Sequence, residues 1–262
     1  MAQASSTEVE VLHQGAVAVL TINNPPANSI SQGVLTGLRQ ALDAFESNGR
    51  TRAVVVTGAG ERMFSAGADI NLLRGDSPDE RKAALLAGAE LFDRIEIYPM
   101  PVIAAINGFC LGGGNELALA CDIRIAAQRA SFGQPEINLG VSPGWGGTQR
   151  LTRVIGKTRA LPLLLGGGMM KAQDALAAGL VTEVVPDDEV VTRAVAIATE
   201  LAKKAPLVIA EIKRRVVQGA DQPIAQAVRG DVEGMLALLD TKDGQEGVNA
   251  FLEKRQPEFT GT

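Results

Sequence analysis

Twice in this chain a short, uniformly apolar run passes straight into a glycine-rich turn that opens towards a helix. The first run is Ala53-Val-Val-Val-Thr57, followed by the glycine-punctuated stretch from Gly58 to Gly67. The second is Val102-Ile-Ala-Ala-Ile106, followed by Asn107-Gly108 and then Gly112-Gly113-Gly114. A run without polar alternation is a strand buried on both faces, as in parallel sheets. Glycine lets the backbone turn sharply and approach other groups closely. Strand, glycine turn, helix and strand in repeated order imply an α/β fold, and 262 residues suffice for one large domain or a domain with an appendage.

The rest of the chain can be read around these two units. Residues 8–13 and 16–22 read as strands joined at Gln14-Gly15, and Asn23 to Asn28 as a turn rich in Asn and Pro. Ser31 caps a helix running to Ser47, with Val34, Leu35, Leu38, Leu42 and Phe45 at helical spacing, and Asn48-Gly49 ends it. Ala68 to Leu72 starts a short helix. A longer helix over 79–97 turns Leu85, Leu86, Ala89, Phe92 and Ile95 inward before Pro99 and Pro101 stop it. Further elements are a helix from Asn115 to Ala120, a strand from Asp122 to Ala126 and a strand from Val181 to Val185. Helices over 148–155, 158–165, 171–178, 187–204, 206–218, 222–239 and 243–254 dominate the remainder. The charge mix rises after Thr199, which divides the chain into a core, 1–198, and a helical C-terminal region, 199–262.

Composition removes several function classes. A net charge of −5 argues against a general nucleic-acid binder, which needs a basic surface, but leaves room for an anionic ligand held by local Lys or Arg. Met1 to Thr7 lacks the features of a secretory signal, and no apolar run is long enough to span a membrane. Cys110 and Cys121 fit neither a redox nor a zinc spacing and read as buried thiols in a reducing, cytoplasmic compartment. The single histidine, His13, lies in a strand and cannot make a multi-His metal site. Three near-motifs fail on their required residues. Gly58-Ala-Gly60 lacks the third glycine of a dinucleotide fingerprint, where Met63 stands. Gly156-Lys157-Thr158 has Leu151 where a phosphate loop needs glycine. Gly140-Val-Ser142-Pro-Gly144 has no histidine after its serine, and reads as a loop.

The residues that can carry chemistry cluster in the glycine turns. A helix start leaves N–H groups unpaired and carries partial positive charge, so two such turns brought together would form an oxyanion hole. For either segment alone, tight turning explains the glycines as well. Glu116 follows the second glycine run directly and is either a cap or a buried functional carboxylate. Glu136, 20 residues on in Phe132-Gly-Gln-Pro-Glu-Ile-Asn-Leu-Gly140, sits between glycines and apolar side chains. A loop glutamate taken alone is more often solvated or structural. Two glutamates can share acid and base work if burial raises their pKa.

Taken in order, these segments resemble the crotonase superfamily, the enoyl-CoA hydratase/isomerase family, and within it are most similar to enoyl-CoA hydratases. The likeness rests on Asn23-Asn24-Pro25, Ser65-Ala-Gly-Ala-Asp-Ile70, Ala105-Ile-Asn-Gly108, Gly112-Gly-Gly-Asn-Glu-Leu117, Cys121-Asp122, Phe132-Gly-Gln-Pro-Glu136 and Pro143-Gly-Trp-Gly-Gly-Thr-Gln-Arg-Leu151. It continues through Gly166 to Gly179-Leu180-Val181 and Phe251-Leu-Glu-Lys-Arg255, covering about residues 8 to 258.

The resemblance implies a spiral of ββα units with a helical C-terminal part used for trimer contacts, in a homotrimer or a hexamer built as a dimer of trimers. It implies an acyl-CoA substrate and no metal or redox cofactor, alongside the absence of nucleic-acid and membrane partners expected from charge and hydropathy. The N–H groups of Ala68 and Gly113 match the family's oxyanion hole. Ala66, Asp69, Ile70 and Asn71, with Ala27, would border the adenine end of CoA, and Gly144 would help bind the water. Lys254, with Phe251, matches a position that can reach a neighbouring subunit's CoA. The reaction implied is that of a lyase, a hydro-lyase: water adds to a trans-2-enoyl-CoA, with Glu116 as base and Glu136 as acid.

The rivals are an enoyl-CoA isomerase, whose relatives typically keep only the second glutamate, a specialised hydroxyacyl-CoA dehydratase and a silent CoA-binding protein. Three departures stand out. Asn71 replaces a Lys that many relatives use towards CoA phosphates. Asn115 stands where Cys or Phe is common, and Trp145 where Ala is common; both are expected to tune the acyl pocket. The Leu72-Leu73 segment and the helix over 79–97 are expected to line it.

Overall fold

The computed structural model describes residues 8–74 and 77–262, so the reading of Met1 to Thr7 lies outside the described residues. Strands β1 (Val9–Gln14) and β2 (Val17–Ile22) form an antiparallel hairpin, and α1 (Gln32–Asn48) follows. The Ser31 hydroxyl accepts from Val34 N–H at 3.0 Å and starts α1; Gly49, at φ 61°, ends it. Three ββα turns then succeed one another. They are β3 (Ala53–Gly58), β4 (Met63–Ser65) and α2 (Pro78–Glu96); β5 (Val102–Ile106), β6 (Phe109–Leu111) and α3 (Gly113–Ala120); and β7 (Ile123–Ala127), β8 (Ser131–Gly133) and α4 (Gly147–Ile155). Short 3-10 helices, Ile70–Leu73 and Pro135–Leu139, interrupt the first and third turns.

Each turn contributes one strand to each of two sheets, so the chain advances as a spiral. The first sheet has the order β1-β2-β3-β5-β7-β10, parallel from β2 onward, with β10 spanning Glu183–Val185. The second has the order β4-β6-β8-β9, with β9 (Met169–Lys171) antiparallel to β8. One apolar cluster fills the space between the first sheet and the spiral's helices. Asn107 ties successive turns together: its Nδ2 donates to the carbonyls of Gly58 at 3.0 Å and Gly60 at 2.8 Å.

Beyond the spiral lie α5 (Lys157–Gly166), α6 (Ala172–Ala178), α7 (Val190–Ala202), α8 (Pro206–Gly219), α9 (Ile224–Leu239) and α10 (Lys242–Leu252). Helix α7 packs through Val190, Ala194 and Ala198 on the other face of the first sheet. Residues 198 and 199, the boundary suggested by the charge pattern, therefore lie inside one helix. Helices α8 to α10 leave apolar side chains uncovered, among them Val216, Ile224, Met235 and Leu252. No helix among the described residues is long and apolar enough to cross a membrane.

Three local readings need correction. No strand of the second sheet is read from its residues, because each is only 3 residues long; they fall in glycine turns or unassigned stretches, and Lys171, read as the start of a helix, ends β9. Helix α3 begins at Gly113, two residues before Asn115. Leu86, expected inward, is 47% exposed, since the buried stripe of α2 runs through Gly88, Leu91, Phe92 and Ile95.

Candidate active site

The two glycine turns meet. In the first, Ile30 pairs with the chain around Ala68: Ile30 N–H donates to Gly67 O at 2.8 Å, and Asp69 N–H to Ile30 O at 3.0 Å. That parallel bridge uses the groups flanking Ala68, so the Ala68 N–H itself points the other way and donates to no protein acceptor among the described residues. In the second turn, Gly112 sits at φ 50° and its N–H donates to Gly133 O at 3.0 Å. Gly113 is the first residue of α3, so its N–H has no partner within the helix and lies at the positive end of the dipole. A Cβ built on Gly113 would sit 3.0 Å from Ala68 N, and one on Gly67 would sit 3.2 Å from Gly113 N. The two free N–H groups are therefore neighbours, and both residues line one cavity of about 560 Å³.

Glu116 and Glu136 line the same cavity. Glu116 lies one turn into α3 and is 2% exposed. Its Oε1 accepts from Trp145 N–H at 2.8 Å and Gly147 N–H at 2.7 Å. Burial pushes its pKa up to about 7 against the pull of those two donors, and the charge of Glu136 pushes the same way. Glu136 projects from the 3-10 helix Pro135–Leu139, half-buried, and burial raises its pKa too. The Gln134 amide, oriented as its hydrogen bonds require, donates to Glu136 Oε1 at 3.0 Å and Oε2 at 3.2 Å. A Cβ on Gly112 would meet Glu136 Oε1 at 3.1 Å, so close approach to the carboxylate, as well as backbone conformation, favours glycine there.

The loop holding Glu116 is itself braced. Trp145 Nε1 donates to Leu85 O of α2 at 2.9 Å. Arg150 donates to Trp145 O at 2.8 Å while its guanidinium pairs with Asp93 at 2.5 Å and Glu96 at 2.8 Å on α2. Helix α2 thus sets where the N–H groups of Trp145 and Gly147 point.

Of the residues singled out in the sequence, Ala66, Ala68, Ile70, Gly113, Glu116, Glu136 and Gly144 line the cavity. Ala27 lies beside it, its carbonyl accepting from Ala66 N–H at 3.0 Å. Asp69 caps the Ile70–Leu73 helix through Asn71 N–H at 2.9 Å, next to Asn71 itself. Phe251 and Lys254, at the end of α10, do not line the cavity, and Phe251 is 82% exposed. Leu85 lines it; Leu72 does not, and the side chain of Leu73 lies outside the described residues. Ser142 is in a loop, as expected, at the cavity wall. Cys110 and Cys121 are buried free thiols, and His13 packs edge-on against Phe45. Gln134 does not stand out in the sequence; its place between Gly133 and Glu136 is visible there, but its burial at 1% exposure is not.

Peptide N–H donors beside two carboxylates in a recessed cavity form a class of site that can transfer protons next to a carbonyl whose oxygen gains charge. The fold carrying it has close relatives. The sequence model of the Enoyl-CoA hydratase/isomerase family matches residues 13–262, and the chain belongs to that family. It is 42% identical to a probable enoyl-CoA hydratase of Bacillus subtilis over 94% of this chain and 95% of that one. It is 40% identical to a short-chain-enoyl-CoA hydratase of Clostridium acetobutylicum over 94% of each. The solved enoyl-CoA hydratase of Bacillus anthracis superimposes with a TM-score of 0.92 at 38% identity, covering 97% of this chain and 100% of that one.

Proposed function

We propose that this protein is an enoyl-CoA hydratase, a hydro-lyase that adds water reversibly to the double bond of a trans-2-enoyl-CoA to give a 3-hydroxyacyl-CoA. The observation that carries this reading is the pair of carboxylates, one buried and one half-buried, that line one cavity with two adjacent free N–H groups. The thioester oxygen accepts from Ala68 N–H and Gly113 N–H. Water, held between Glu116 and Glu136 and bordered by Gly144, attacks carbon 3. Electrons of the double bond move towards the thioester, and the two donors stabilise the enolate oxygen. Glu116 takes a proton from the water and Glu136 gives one to carbon 2. One C–O and one C–H bond form, one π bond is lost, and the carboxyl pair ends with the same number of protons. The addition transfers no electrons to an acceptor, so it calls for no redox cofactor.

One shared proton fits the electrostatics. Burial raises both pKa values, that of Glu116 to about 7, and the charge of Glu136 adds to the rise at Glu116, so the pair resists double ionisation. With the proton on Glu136, the two N–H donors on Glu116 favour its ionised, basic form. The presence of Glu116 favours hydratase over isomerase.

The CoA moiety would lie along Ala66 to Asn71 and Ala27, with Asn71 replacing the cationic contact of many relatives. Phe251 and Lys254, remote from their own cavity, would act at a neighbour's site. The uncovered apolar faces of α8 to α10 support a homotrimer or homohexamer, and the two buried thiols suit a reducing cytoplasm. Light scattering gives the oligomeric mass directly. The function is tested by supplying crotonyl-CoA and a 3-enoyl-CoA separately and following products. Hydration of the first supports the reading; transformation of the second alone would replace it with isomerisation.

A further inference from the structure

The largest buried side chain among the described residues stands in the site itself. Trp145 is 2% exposed, yet it lines the cavity. Its ring lies between two glycines on different helices. A Cβ on Gly113 of α3 would meet Cζ3 at 2.7 Å and Cε3 at 2.8 Å, and a Cβ on Gly88 of α2 would overlap the opposite edge of the indole. Phe92 packs edge-on at 5.4 Å, and the Nε1–Leu85 hydrogen bond fixes the ring's orientation. The indole therefore occupies the gap between α2 and α3, immediately behind the Gly113 N–H.

The cavity offers an acyl group two apolar sides, the exposed pair Leu139 and Val141 and the side of Leu85 and the buried Trp145. The thioester is placed by Ala68 and Gly113, and the CoA side leaves past Ala66 and Ala68. Carbons beyond the double bond leave water most fully on the side of Trp145, which is 2% exposed, and least against Leu139 at 64%. We propose, on the basis of the hydratase reading, that the Trp145 indole is the floor of the acyl pocket and restricts the substrate to short straight-chain 2-enoyl thioesters. The backbone N–H of Trp145 holds Glu116 while its side chain ends the pocket. Length selection and placement of the base are thus joined in one residue.

Shortening the side chain opens the α2–α3 gap without removing either N–H donor to Glu116. Each methylene that the opened gap buries tightens binding roughly fourfold. The test is a titration of butyryl-CoA and octanoyl-CoA, both saturated and unreactive, into the wild type, Trp145→Ala and Trp145→Phe. The expected result is that Trp145→Ala raises the octanoyl-to-butyryl affinity ratio about tenfold or more over wild type, with Trp145→Phe between the two. An unchanged ratio in folded Trp145→Ala overturns the proposal. If the alanine variant does not fold, an unchanged ratio in Trp145→Phe overturns it. Because binding needs no turnover, failure of the hydratase reading shows separately, as wild-type protein that leaves crotonyl-CoA unaltered.

Discussion

Glu116 and Glu136 look into the same cavity from supports of different kinds. Glu116 stands on the buried helix α3, which follows directly from one of the free N–H donors, and backbone N–H groups hold one of its oxygens. Glu136 stands on a 3-10 turn between β8 and a solvent-exposed loop, half-buried, and is held by a side-chain amide. A carboxylate held by backbone keeps its place; one held by a side chain on a short turn can take up and release a proton with less rearrangement. The difference suits a fixed base and a proton donor. It also shows that equal residue types at one site need not be equivalent.

The comparison breaks most sharply on removal of either group. Glu116→Gln and Glu136→Gln each keep the side-chain shape and lose the proton chemistry. Each is expected to lower kcat for crotonyl-CoA about 10³-fold, while the affinity for butyryl-CoA, read by calorimetry, stays within a few-fold. Near wild-type turnover in both variants would remove the pair from the mechanism. Gly113→Ala attacks the feature the carboxylates share, the donor pair. Its new Cβ collides with the Trp145 ring and crowds Ala68 N, so kcat should fall about 10²-fold or more. An alanine variant that folds and turns over normally would show that the oxygen is held elsewhere.

Much of this arrangement is legible in the amino-acid sequence, and the limits of that legibility are physical. Ala53 to Thr57 and Val102 to Ile106 declare themselves as strands because a parallel sheet buries both faces, leaving apolar runs. Ser31 and Gly49 mark both ends of α1 by local chemistry. Met63–Ser65, Phe109–Leu111 and Ser131–Gly133 declare nothing. Three residues cannot display a period, and their pairing partners lie a full spiral turn away in sequence. Only the ordered motifs, through the family they resemble, point to a second strand in each turn. Glu116 and Glu136 stand out for their glycine surroundings. Gln134 and the Gly147 N–H do not, because their roles depend on where a distant loop folds back.

A smaller effect separates the carboxylates by pH. In the wild type, the Glu116 carboxyl binds its proton more tightly in the folded state than in the unfolded chain, from its ordinary pKa of 4.5 up to about 7. A raised carboxyl pKa works against the fold as pH rises: stability falls across that window and levels off above it. Glu116→Gln, which still accepts both N–H bonds, should escape this loss. Above pH 7 it should be more stable than wild type by at most about 3 kcal/mol, and the gap should close near pH 4. Chemical denaturation at several pH values measures it. A gap that does not change with pH would mean that Glu116 is not the group titrating in this window. In Glu136→Gln the neighbouring charge is gone, so the fall in wild-type-like stability should move to lower pH.

The smallest expected effect concerns the amide that holds Glu136. Gln134 is buried, and its nitrogen lies within hydrogen-bond reach of both Glu136 oxygens. Gln134→Leu keeps much of the volume and removes the donor. Glu136 would then be freer to turn away from the substrate, and its ionised form would lose a partner, which raises its pKa further. The expected outcome is about a tenfold loss of kcat, the size of one hydrogen bond to a charged group, with KM little changed and the alkaline limb of the kcat profile, where the acid loses its proton, moved to higher pH. Glu116 accepts from backbone N–H groups, which Gln134→Leu leaves in place, so the acid-side limb set by the base should not move in that variant. If Gln134→Leu alters KM and leaves the profile in place, Gln134 shapes the pocket and does not hold the acid.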